Sequence, residues 1–130
     1  MPSITPQQAL PALRLAIGAG AFAFPDLTGT IFGFNIKDNH EAVYMGRLFG
    51  ARDVALGVGV LAAKGDGKRL WWQLGILCDA ADAAAGILGL KAGAPKRGHI
   101  MATATALSAV GIGIAALAQP GPESENSAPA

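Results

Sequence analysis

From Ile100 to Ala118 the chain runs 19 residues without a charge, bracketed by Arg97 and His99 before and Gln119-Pro120 after. Coiled at 1.5 Å per residue, such a helix reaches roughly 28 Å, close to the hydrocarbon thickness of about 30 Å in a bilayer. It has no polar face to show to water, and the other apolar stretches are nearly as apolar all round. Composition agrees: 52% of the 130 residues are hydrophobic, another 18 are Gly, and only 15% are charged, against about 25% charged in an ordinary soluble domain. A chain of this length makes one domain with much surface per unit volume, and this one lacks the polar residues to cover it. Lipid is therefore expected as part of its solvent. The same numbers exclude disorder for most of the chain. The single Cys78 excludes an intrachain disulfide or a cysteine-based zinc site, and a net charge of +1 without a basic tract gives no support for nucleic-acid binding.

Three further spans are expected, each carrying charge: Leu10 to Pro25 with Arg14, Tyr44 to Ala63 with Arg47, Arg52 and Asp53, and Leu70 to Leu90 with Asp79 and Asp82. Those charges leave open a buried helix of a soluble bundle for each. The punctuation is that of an up-down bundle. Lys64 to Arg69 and Lys91 to Arg97 read as short polar turns, and Pro25-Asp26 as the end of the first helix. Between Asp26 and Val43, the aromatic and Gly-broken Thr30 to Phe34 predicts an interfacial segment. Trp71 and Trp72, beside Lys68 and Arg69, predict an aromatic belt at a membrane surface. Residues 1–118 form the expected membrane domain, and the Pro-, Ser- and Glu-containing tail 119–130 is expected to be disordered. A cleaved signal peptide around Leu15 to Phe24 is the alternative for the first segment and would leave three spans, although no basic region precedes it. Lys and Arg are nearly balanced between the two sides when Arg14 is counted with Lys64, Lys68 and Arg69, and both termini are expected in the cytoplasm.

Small residues recur at four-residue spacing: Gly46 and Gly50, then Ala81, Ala85 and Gly89, then Ala102 and Ala106, with Ala109 and Gly113 following. In lipid, close backbone approach over such residues drives helix association, either between copies of the chain or within one. A tight bundle with little room for a large cofactor is expected, and none is assigned.

The chemistry concentrates in Arg47, Arg52, Asp53, Asp79 and Asp82. If the second and third spans form a hairpin centred near position 66.5, Arg52 and Asp53 lie at the depth of Asp79 and Asp82. The two acids, three residues apart, share a helix face, where one Arg could take both. A charge at the bilayer centre costs about 2.5–3.5 kcal/mol on insertion scales, so these groups must face inward and pair. Two positive and three negative charges leave an excess of −1, to be offset by Arg14, a proton or a bound cation. Two readings follow: a permanent ion-pair cluster that sets helix register, and a protonatable or ion-binding site with Asp79 or Asp82 as the variable group. His40 and His99 read as surface residues and Cys78 as a small inert hydrophobe. Ser3, Ser108 and the histidines assemble no nucleophile, base and orienting acid. Gly57 to Gly59 lacks the spacing of a dinucleotide loop.

Tyr44-Met-Gly-Arg-Leu-Phe-Gly-Ala-Arg-Asp-Val-Ala-Leu-Gly57, with Phe24-Pro-Asp26 and Phe32-Gly33 before it and Asp79 and Asp82 after, resembles a family of small bacterial four-span membrane proteins of unknown function. The motif carrying the resemblance is Gly-x-Arg-Asp-x-Ala-Leu-Gly, here Gly50 to Gly57, with Arg52 and Asp53 at its centre. In layout the chain is also similar to the DoxX-like four-helix membrane proteins. The resemblance spans about Leu10 to Ala118. It implies a fold and a location in a bacterial plasma membrane but brings no reaction. The expectation is an all-α, four-helix transmembrane bundle that acts without catalysis as a structural or accessory subunit. Its partners would be the lipid bilayer, a second copy or a membrane complex. The alternatives are a small proton- or ion-coupled carrier using an intramembrane Asp, and a membrane enzyme acting on a lipid or quinone.

Overall fold

The computed structural model describes residues 3–119. Five α-helices account for it: α1 (Pro6–Ala23), α2 (Pro25–Ile31), α3 (His40–Ala62), α4 (Gly65–Lys91) and α5 (Lys96–Ala118). No strand occurs among the described residues. By length and composition, α4 and α5 are long and apolar enough to cross a membrane. Of the tail expected to be disordered, all but Gln119 lies outside the described residues.

The helix boundaries follow local chemistry. Pro6 opens α1 without needing a hydrogen bond for its nitrogen, and the N–H of Thr5 donates to Gln8 Oε1 at 3.3 Å. α1 ends at Ala23 because Phe24, which precedes Pro25, is forced out of helical geometry to φ −130° and ψ 65°. Pro25 then starts α2, with Asp26 in its first turn facing the positive end of the helix dipole. The segment expected to lie at an interface is thus part helix and part loop. Its loop carries left-handed backbone at Gly33 (φ 83°) and Asp38 (φ 63°). Asn39 caps α3, its side chain accepting from the N–H of Ala42 at 3.0 Å.

Both polar turns are shorter than their composition predicts. The chain reverses at Ala63-Lys64, and Gly65 to Arg69 already belong to α4. Lys68 and Arg69 are good helix formers that stay solvated on a helix surface, so their polarity does not require a loop. At the far end, Ala92 to Pro95 make the turn around Gly93 (φ 89°), and Lys96 and Arg97 open α5.

The four long helices run up and down, but not with equal intimacy. α1 packs closely on α3 and α4 on α5, whereas the α3–α4 and α1–α5 seams are looser. Gly18 and Gly50 make the first close seam possible: a Cβ on Gly50 would lie 2.5 Å from the Gly18 carbonyl oxygen and 2.8 Å from the Phe22 nitrogen. In the second, Gly86 faces Thr103 and Gly89 faces the His99 ring. Other small residues behave differently. Gly46, Ala85, Ala102 and Ala109 line a space between the two pairs rather than closing a seam. A uniformly tight bundle is therefore not what forms.

At the end where the Gln7 side chain donates to the Ala116 carbonyl (3.1 Å), the pairs meet in a small core of Leu10, Val60, Trp72 and Ala116. Trp72 is buried in that core and Trp71 packs against it and over Gly59, so the two indoles brace the bundle and Trp72 does not join an outward-facing belt. At the opposite end, here the α2 end, Phe34 meets the His99 ring edge-on (centroids 5.6 Å apart). Large apolar side chains cover the outside of every long helix, among them Leu13, Phe22, Leu48, Leu61, Leu77, Leu88, Leu107 and Ile114.

Candidate functional site

Arg14, on α1, is 5% exposed, and the carboxylates it meets are as deeply buried: Asp53 on α3 at 6% and Asp79 on α4 at 4%. Its guanidinium grips Asp79 with two bonds, Nη2 to Oδ2 at 2.5 Å and Nη1 to Oδ1 at 3.1 Å. Nη1 also reaches Asp53 Oδ1 at 3.5 Å. Beside this lies a second fork, with Arg52 donating to Asp82 at 2.9 and 2.5 Å. This pair sits nearer the surface, its side chains about one-third exposed. Asp53 Oδ1 links the two forks, lying 3.6 Å from Arg52 Nη2. Planar two-point pairing is the strongest form of this interaction, and buried partners make it most costly to break.

Local sequence makes the arrangement possible. Asp79 and Asp82 share one face of α4 at a spacing of three. Gly75, one turn before Asp79, clears the path of Arg14; a Cβ there would come within 2.9 Å of Nη2. The motif Gly50 to Gly57 also acquires physical roles. Gly50 seats α3 on Gly18, Arg52 and Asp53 enter the two forks, and Gly57 admits Leu15 and the Pro11 carbonyl. The Arg52 Nε is buried without a hydrogen-bond partner, and its guanidinium carbon lies 4.9 Å from the centre of the Phe49 ring.

Of the five residues singled out from the sequence, the structure brings Arg52, Asp53, Asp79 and Asp82 together and leaves Arg47 apart. The exposed Arg47 donates from Nε to the Phe22 carbonyl at 3.2 Å, capping the last turn of α1. Arg14 takes the place assigned to it, and the two acids of α4 are held by separate arginines rather than shared by one. A first helix beginning at Leu10 would place Arg14 one turn from the surface. The helix starts at Pro6, so Arg14 lies at its middle, and α1 packs on α3 so that Arg14 faces inward. Deleting the Arg47 side chain is accordingly expected to cost less than about 1 kcal/mol, because a solvated cation at a helix C-terminus contributes little. Denaturant titration of Arg47→Ala in detergent checks this.

The forks line a cavity of about 550 Å³ that extends toward the α2 end and, the other way, about one turn to Leu10 and Ile112. Arg14, Asp53, Asp79 and Asp82 form its charged part, and most of its remaining wall is apolar. The expectation of little interior room is thereby corrected, because the two helix pairs splay apart along the loose seams. His99 is not a plain surface residue. It is half-buried, lines the cavity and has Nδ1 2.9 Å from the Pro95 carbonyl oxygen. Cys78 is free and half-buried, and His40 is exposed at the start of α3. Among the described residues no group of three or more His, Cys, Asp or Glu side chains is disposed to hold a metal ion. No family model, curated protein or solved structure matches the chain.

Proposed function

We propose that this chain is a small integral membrane protein of a bacterial plasma membrane, with α1, α3, α4 and α5 as four spans and α2 at the interface. It acts without catalysis as a structural or accessory bundle. The observation that carries the reading is the inverted distribution of polarity. The charges at mid-length in α1, α3 and α4, namely Arg14, Arg52, Asp53, Asp79 and Asp82, are paired with one another, while large apolar side chains face outward on all four long helices. In water that exterior would be a continuous sticky surface; in lipid it is solvated and the paired interior is tolerated. α1 and α3 are less apolar as sequences because of Arg14, Arg47, Arg52 and Asp53, three of which are spent on internal pairs.

Arg14 is internal, so it no longer counts toward one side. Lys37, Arg47, Lys91, Lys96 and Arg97 then lie at the α2 end, against Lys64, Lys68 and Arg69 at the other. That excess supports a cytoplasmic α2 end and both termini on the opposite side, the reverse of the orientation expected when Arg14 was counted. Fusions of alkaline phosphatase and green fluorescent protein after Gln119 test it. Phosphatase activity with a dark fluorescent fusion is expected; the opposite pattern restores cytoplasmic termini. Protein released from membranes by alkaline carbonate would overturn the membrane reading itself.

A further inference from the structure

We propose that the cavity between the two helix pairs binds a lipophilic organic cation, an apolar body carrying one positive charge. Its volume of about 550 Å³ lies in the range of small-molecule sites. The walls require an apolar body: Leu10 and Ile17 from α1, Phe49 from α3, and Ala102, Ala109 and Ile112 from α5.

The charged part selects the sign. Arg14 and Arg52 face Asp53, Asp79 and Asp82, which leaves one negative charge in excess. That excess falls on Asp53. Asp79 and Asp82 each hold a guanidinium through both oxygens, whereas Asp53 has contacts of only 3.5 and 3.6 Å, both to Oδ1. Among the described residues no group donates to Asp53 Oδ2, although the side chain is 8% exposed and borders the cavity. A buried carboxylate so weakly compensated gains most from a ligand that brings a positive charge to it. An anion would meet three carboxylates at a guanidinium already engaged, and a neutral guest would leave the excess in place. A bare metal ion would leave the apolar volume unused. This inference rests on the membrane reading, because low-dielectric surroundings are what make one uncompensated charge expensive.

The test uses two probes of matched size and shape and opposite charge, tetraphenylphosphonium and tetraphenylborate. The full chain is reconstituted in phosphatidylcholine nanodiscs and dialysed to equilibrium against each, with empty discs as reference. Saturable uptake of one tetraphenylphosphonium per chain is expected, with no tetraphenylborate above the empty-disc level. Asp53→Asn should weaken uptake at least about tenfold, the scale of one charge-assisted contact. Ala102→Phe, which fills the cavity toward the α2 end, more than a turn from the ion pairs, should weaken it similarly while helical circular dichroism and elution volume stay unchanged. Equal excess of both probes, no excess of the cation, or cation uptake unchanged in Asp53→Asn or in Ala102→Phe would each overturn the proposal. Incorporation into discs is read separately. A chain that stays in the aqueous fraction overturns the membrane reading, and the same dialysis on that aqueous protein then decides cation binding by the same outcomes.

Discussion

Arg14→Met is expected to destabilise the folded protein by about 3–5 kcal/mol, the scale of breaking a buried ion pair from one side. The loss comes less from the missing bonds than from what remains. Asp79 would keep a buried charge with both oxygens unpaired, and Asp53 would lose one of its two cations. Folding stability in mixed micelles, read by SDS titration, and the amount of protein recovered from membranes check it. The companion double variant Arg14→Met with Asp79→Leu should recover much of the loss, because replacing both members of a buried pair by apolar groups is often close to neutral. If the single variant costs less than about 1 kcal/mol, Arg14 is not the buried partner of these acids. If the double variant is no better than the single, the damage lies in packing around α1 rather than in the stranded charge. Arg47→Ala, whose side chain reaches only a carbonyl at a helix end, is the internal comparison.

The second large effect is expected at the α1–α3 seam. Gly50→Leu should cost about 3 kcal/mol, the upper part of the range for overpacking. The atoms a side chain would strike there are backbone, the Gly18 oxygen and the Phe22 nitrogen, so no rotamer change relieves the clash and the helices must part. Parting them also draws Asp53 away from Arg14, so the ion pair and the seam should fail together. Gly46→Leu makes the contrast. Gly46 lies on the same helix face one turn away, where the nearest atom to a new Cβ is Pro25 Cβ at 3.9 Å, so the side chain can enter the cavity. Thermal unfolding in detergent should separate the two variants clearly. Equal sensitivity would mean that the seam is not the tight one.

Much of this protein was legible in its residues. Helical character follows from long apolar runs punctuated by Pro25, Gly33, Gly93 and Pro95, and the structure is all helix among the described residues. That Asp79 and Asp82 share a face follows from a spacing of three, and that charges within apolar helices must find partners follows from the cost of burying them alone. Helix ends were less legible. Polar residues such as Lys68 and Arg69 satisfy a loop and an exposed helical turn equally well, so composition placed the turns too wide.

The sequence by itself determined that four long helices form, though not the short α2, and that charges buried between them must pair. Only the tertiary structure decided who pairs with whom. An arginine's partner depends on the rotation of each helix and on how closely the axes approach, and those are set by contacts between residues remote in the chain, such as Gly18 against Gly50 and Gln7 against Ala116. Arg14 and Arg47 both sit on apolar helices beside the same seam, yet one is buried between Asp53 and Asp79 while the other lies at a helix end. The cavity has the same origin. Small residues at a spacing of four permit close approach but do not compel it, so the residues that close the seams at Gly18 and Gly50 look, in one dimension, like those that line the space at Gly46 and Ala109.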